Sequence, residues 1–194
     1  MLELPLERKY LLPPLLLACI ASVLMLLQLG PMLDFDRNAI NQGELWRILT
    51  GQFMHSNVYH LLLNVLGIVF IWLLHAEYTR PRQYAFNVLF LALWTGALIY
   101  FLAPNIVVYT GLSGLLHGVI IWGAAQDCRR NMVTGYLLFI GVWLKIGFEQ
   151  SQGASVEVAR LIESRVAIEA HLYGAVGGVI LFIADFLYHQ KRPA

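Results

Sequence analysis

Charge is what this sequence has least of. Asp, Glu, Lys and Arg make up 13% of its 194 residues, against about 25% in an ordinary soluble domain. The two signs nearly cancel, leaving a formal net charge of +1. With no long run of like charge, nothing points to nucleic acid or another polyanion. Cysteine is almost absent: Cys19 lies in an apolar run and Cys128 at the end of another, so neither a pairing nor a cysteine-histidine zinc spacing is expected. A His-Glu-x-x-His pattern is missing, which removes the familiar zinc-protease reading. So are acidic residues at the centres of the apolar runs, which argues against ion-coupled transport. Internal repeats, low-complexity tracts and linkers are lacking too, so residues 1–194 read as one domain.

What fills the sequence is hydrophobic, at 59% of residues. The apolar runs predict helices at about 11–29, 58–74, 88–103, 113–127, 132–148 and 166–188, each close to the roughly 20 residues that cross about 30 Å of hydrocarbon. The expected class is an all-α membrane protein with six transmembrane helices. The first run follows Arg8 and Lys9 but lacks a small-residue cleavage site, and it reads as a retained helix. Arg8, Lys9, Arg80, Arg82, Arg129, Arg130, Lys191 and Arg192 fall in the two tails and two alternate loops. By the positive-inside rule both termini are then cytoplasmic.

A hydroxyl and an imidazole in lipid-facing helices each cost several kcal/mol unless something satisfies them, which makes Ser113 and His171 functional-site candidates. Counting about 1.5 Å per residue from the cytoplasmic ends puts His60, Ser113 and His171 at a similar depth in the outer part of the membrane. Gly114 and Gly118 form one small-xxx-small pair, and Gly174 and Gly178 another, so the fourth and sixth helices can approach closely beside both residues. Packing glycines alone would read as structural; their position beside both candidates favours a site. His60 and Asn64 are four apart and share a face. Membrane Asn is more often interhelical glue, yet an amide, an imidazole N–H and the Ser113 backbone N–H are also what an oxyanion needs. No acid is expected to orient His171: Asp185 falls near the cytoplasmic end and Glu169 at the external lip. The expected design is a Ser113-His171 dyad.

Gly111-Leu112-Ser113-Gly114 resembles the GxSG nucleophile motif of the rhomboid family of intramembrane serine proteases. Ala170-His171-Leu172-Tyr173-Gly174 through Gly178 resembles the family's AHxxGxxxG base motif, and His60 to Asn64 its HxxxN. His55 fits a histidine that commonly precedes the latter, and Trp46-Arg47 fits the Trp-Arg of the family's first loop. The resemblance implies a six-helix rhomboid-like bundle with a cavity open to the outside, His60, Asn64 and Ser113 around the oxyanion, and no metal or cofactor. It also implies that single-pass transmembrane proteins are the substrates, entering from the surrounding lipid.

Where many rhomboids carry Tyr four residues after the serine, this chain has His117. Gly111-Leu112-Ser113-Gly114-Leu115-Leu116-His117-Gly118 and the compact length resemble the rhombosortases, a bacterial branch associated with proteins ending in Gly-Gly, a hydrophobic helix and a basic tail. That resemblance implies a multi-pass protein of the bacterial inner membrane with its site facing the periplasm. His117 is then a packing partner of His171, a second titrating group, or a core histidine. Two other classes remain open: a membrane haem protein using His55, His60, His117 and His171 as axial ligands, and a rhomboid-like protein that binds membrane clients without cutting them.

Overall fold

Backbone in lipid has no water to satisfy its N–H and C=O groups, so apolar runs close their hydrogen bonds locally as helices. The computed structural model describes residues 4–190; Lys191 and Arg192, used above for orientation, lie outside them. Helix α1 (Arg8–Leu26) stops three residues early, at a turn where Gln28 has φ +53°. Then come three short helices, α2 (Gly30–Leu33), α3 (Arg37–Asn41) and α4 (Arg47–Thr50). Five longer or connecting helices follow: α5 (Val58–His75), α6 (Pro81–Leu102), α7 (Ser113–Arg129), α8 (Val133–Gln152) and α9 (Val156–Leu161), before the last, α10 (Ile168–Gln190). Helix α6 begins seven residues before the apolar run, because Pro81 is a ready-made first helical residue and the polar Arg82 and Gln83 sit in the first turn.

One strand pair ties the first loop to the bundle. Strand β1 (Phe35–Asp36) pairs antiparallel with β2 (Val108–Tyr109), Phe35 opposite Tyr109. Next to it, the Arg37 guanidinium donates to the carbonyls of Ile99, Tyr100, Ala103 and Ile106 at 2.7–3.0 Å. Apart from Ile99 O, which the Ala103 N–H caps at 3.2 Å, the last carbonyls of α6 have no intrahelical donors, and a cation there also meets the negative end of the helix dipole. Trp46 and Arg47 brace the same loop. The Trp46 indole donates to Met32 O at 3.2 Å, and buried Arg47 reaches Pro31 O and Asp34 O at 2.9 and 3.0 Å.

Among the described residues, four helices are long and apolar enough to cross a membrane: α1, α5 with the turn after it, α6 and α10. Helix α7 has 17 residues and is enclosed by α5, α6, α8 and α10. The expectation of a lipid-facing fourth helix is therefore corrected. Because protein surrounds it, α7 can carry Gln126 and Asp127, and Asp127 receives His75 Nε2 at 3.2 Å and the Tyr78 hydroxyl. The seam between α7 and α10 is backbone on backbone: a Cβ on Gly174 would strike the Gly114 carbonyl, and one on Gly178 the Gly118 carbonyl. Helix α8 is the opposite case, with only Gly135 and Ile146 buried.

Candidate active site

Ser113 is the first residue of α7, so its backbone N–H and those after it lack intrahelical acceptors and point into the space before the helix. The chain reaches it through Gly111, whose φ of +116° L side chains rarely adopt and whose missing Cβ leaves room for the His60 ring. Gly111 N donates to Gly51 O, and the buried Tyr109 hydroxyl donates to Gly111 O at 2.7 Å. The turn is thus held from both sides.

His171, on the first turn of α10 and 5% exposed, faces this serine. Its Nε2 lies 3.1 Å from Ser113 Oγ. Its Nδ1 lies 2.9 Å from Glu149 Oε2, a partner that the sequence reading did not supply. Hydropathy ends the fifth helix at residue 148 and places Glu149 in the loop after it. Helix α8 instead runs on to Gln152, and Lys145 and Glu149, one turn apart, reach inward together. Their i, i+4 spacing in an otherwise apolar helix was the available signal. Glu169 makes no described hydrogen bond to His171; one of its oxygens pairs with Arg165 at 3.1 Å and the other is buried.

His117 lies flat against His171, ring centroids 4.1 Å apart at 19°. Its Nδ1 donates to Ser113 O at 2.7 Å, and since a carbonyl only accepts, the neutral ring has its lone pair at Nε2, where Lys145 Nζ sits at 2.9 Å. The same lysine bonds Glu149 Oε1 at 2.8 Å and comes within 3.3 Å of His171 Nδ1.

Asn64 and His60 flank the serine from α5. Both are buried, and Asn64 Nδ2 spends one proton on His60 O at 3.1 Å, keeping the second. Ser56 Oγ donates its proton to Ile162 O at 2.6 Å and therefore accepts from His60 Nδ1 at 3.0 Å. In the neutral ring this leaves Nε2, the nitrogen beside Gly111, without a proton. Asn57 Nδ2 adds a bond to Leu161 O at 3.0 Å, so Ser56 and Asn57 fix the end of α9 above the site. His55 packs edge-on to His60 with centroids 5.1 Å apart, and burial, then the neighbouring His60, push its pKa down to about 3. It is a neutral packing group, with no contact to Ser113 among those described. Trp46 and Arg47 belong to the bracing of the first loop.

A cavity of about 380 Å³ holds Ser113, His171, Asn64, Lys145 and Glu149 under α9. A second, largely apolar groove of about 450 Å³ runs along α5, α7 and α8 past Gly67, Phe70, Ile120 and Gly141, and it shares Asn64, Ser113, His117 and Lys145 with the first. A side route through apolar surface therefore ends at the serine. The histidines do not suit haem: His117 with His171, and His55 with His60, are pairs in ring contact, with no slot of macrocycle size between them.

Long apolar helices around a shared cavity that holds the Ser113, His171, Lys145 and Glu149 side chains define a multi-pass helical membrane protein. A family model described as the Rhomboid domain matches residues 42–188. The chain belongs to the rhomboid family, whose members are intramembrane serine proteases. Among curated proteins, none matches it.

Proposed function

We propose that the protein is an active intramembrane serine endopeptidase in which Ser113 is the nucleophile and His171 its general base. The observation that carries this reading is the 3.1 Å contact between Ser113 Oγ and His171 Nε2 where cavity and groove meet. His171 accepts the Ser113 proton as Oγ attacks the scissile carbonyl, then returns it to the departing amine. Water repeats the cycle on the acyl-enzyme. The second Asn64 amide proton and the Ser113 backbone N–H are the oxyanion donors. His60, with its proton committed to Ser56 in the neutral ring, holds the Gly111 turn. No step needs a metal or cofactor.

All six long helices cross the membrane in this reading, with both termini cytoplasmic and the site toward the outer face of a bacterial inner membrane. Substrates are single-pass membrane proteins. The groove suits an apolar helix, and an extended Gly-Gly stretch is the kind of segment that exposes its carbonyls without first unwinding a stable helix. The octapeptide Gly111–Gly118 and the stacked His117 support the rhombosortase branch and hence proteins with a Gly-Gly, hydrophobic helix and basic tail. The test is a fluorophosphonate probe on the purified protein: wild type labelled and Ser113→Ala unlabelled is expected, and an unlabelled, folded wild type overturns the assignment.

A further inference from the structure

The polar groups around the serine form a closed circuit. Ser113 O accepts from His117 Nδ1; His117 Nε2 accepts from Lys145; Lys145 also donates to Glu149 Oε1; Glu149 Oε2 accepts from His171 Nδ1; and His171 Nε2 accepts from Ser113 Oγ. Each donor meets an acceptor, and the charge of the largely buried Glu149 carboxylate is offset by the half-exposed Lys145 ammonium.

His171 Nδ1 is the contested atom. Glu149 at 2.9 Å can only accept there, whereas Lys145 at 3.3 Å can only donate. The two demands select opposite tautomers. With the proton on Nδ1, Nε2 offers its lone pair to the Ser113 hydroxyl; with Lys145 donating to Nδ1, Nε2 would carry the proton and could not act as base. The shorter contact belongs to Glu149, and Lys145 is already engaged with Glu149 Oε1 and His117 at 2.8 and 2.9 Å.

We infer that Glu149 is a positioning residue that makes the site a Ser113-His171-Glu149 triad, its carboxylate keeping the proton on His171 Nδ1 while Lys145 holds that carboxylate in place. This rests on the serine-protease reading above. The carboxylate takes up no proton. It orients the ring and offsets the charge of the imidazolium formed when His171 accepts the Ser113 proton, a charge that otherwise faces the Lys145 ammonium alone.

The experiment measures inactivation of the full chain by a fluorophosphonate probe, separating the limiting rate kinact from KI, with thermal unfolding of each variant followed in detergent. Glu149→Gln is expected to lower kinact by about 10²–10⁴-fold at unchanged KI, the scale on which a neutral amide behind a catalytic imidazole acts by presenting the wrong tautomer. Glu149→Asp is expected to recover part of it. Adding Lys145→Met to Glu149→Gln is expected to raise kinact about five- to tenfold over Glu149→Gln alone, because the unopposed ammonium is gone. A merely structural pair would lose more, not less. Wild-type kinact in folded Glu149→Gln overturns the inference while leaving Ser113 and His171 standing; an unlabelled wild type overturns both. If Glu149→Gln does not fold, Glu149→Asp and the double variant, which buries no unpaired charge, decide by the same measure: kinact at the wild-type level in both overturns the inference, and a loss in kinact alone supports it.

Discussion

The α7–α10 seam and helix α8 solve the same problem, that of placing a polar atom beside Ser113, in opposite ways. At the seam, glycines bring two backbones into contact, so the positions of Ser113 and His171 follow from main-chain packing with little side-chain freedom. Helix α8 has two buried residues and delivers Glu149 and Lys145 on long side chains across a gap. Under the proposed mechanism, the difference separates what the reaction needs always from what it needs only at the moment of proton transfer. A reacting pair tolerates almost no displacement, whereas an orienting carboxylate can be supplied from a distance.

The bluntest way to break this comparison is to remove the reacting atoms at the seam. Ser113→Ala and His171→Ala are each expected to lower cleavage of a Gly-Gly-containing single-helix reporter to background while unfolding midpoints stay near wild type. Gly174→Ala attacks the seam without touching a reactive atom. Its methyl group must push α10 away from the Gly114 carbonyl, with an expected cost of about 1–3 kcal/mol in unfolding and about 10²-fold in reporter turnover from misplaced His171. On the α8 side, Lys145→Met alone is expected to lower turnover only about fivefold, since that side chain is half exposed and its ion pair correspondingly screened. Gly147→Ala sharpens the contrast from the other end. A Cβ there meets nothing within 4 Å, so thermal unfolding should show a gain of up to about 1 kcal/mol and turnover within about twofold of wild type. Equal damage from Gly174→Ala and Gly147→Ala would erase the distinction.

The sequence reveals the seam far better than it reveals α8. Gly114, Gly118, Gly174 and Gly178 advertise a close approach by spacing alone, and the common depth of Ser113 and His171 follows from counting turns. The sequence hides Glu149 because hydropathy assigns a charged residue after an apolar run to the loop, whereas a long side chain near a helix end can bend back toward a polar partner such as His171. It also hides Arg37, whose bonds to the end of α6 span more than sixty residues of chain, and the two-residue strands, which are too short to show any alternation. The enclosure of α7 is hidden for a related reason: an apolar run does not say whether lipid or protein surrounds it.

The scant anchoring of α8 carries a further consequence. A shift of about 1 Å in that helix stretches the 2.9 Å contact between Glu149 and His171 past bonding range. The same shift widens the apolar groove that α8 walls on one side. In the proposed enzyme one displacement of α8 would therefore loosen the carboxylate's hold on the His171 ring and open the side route together.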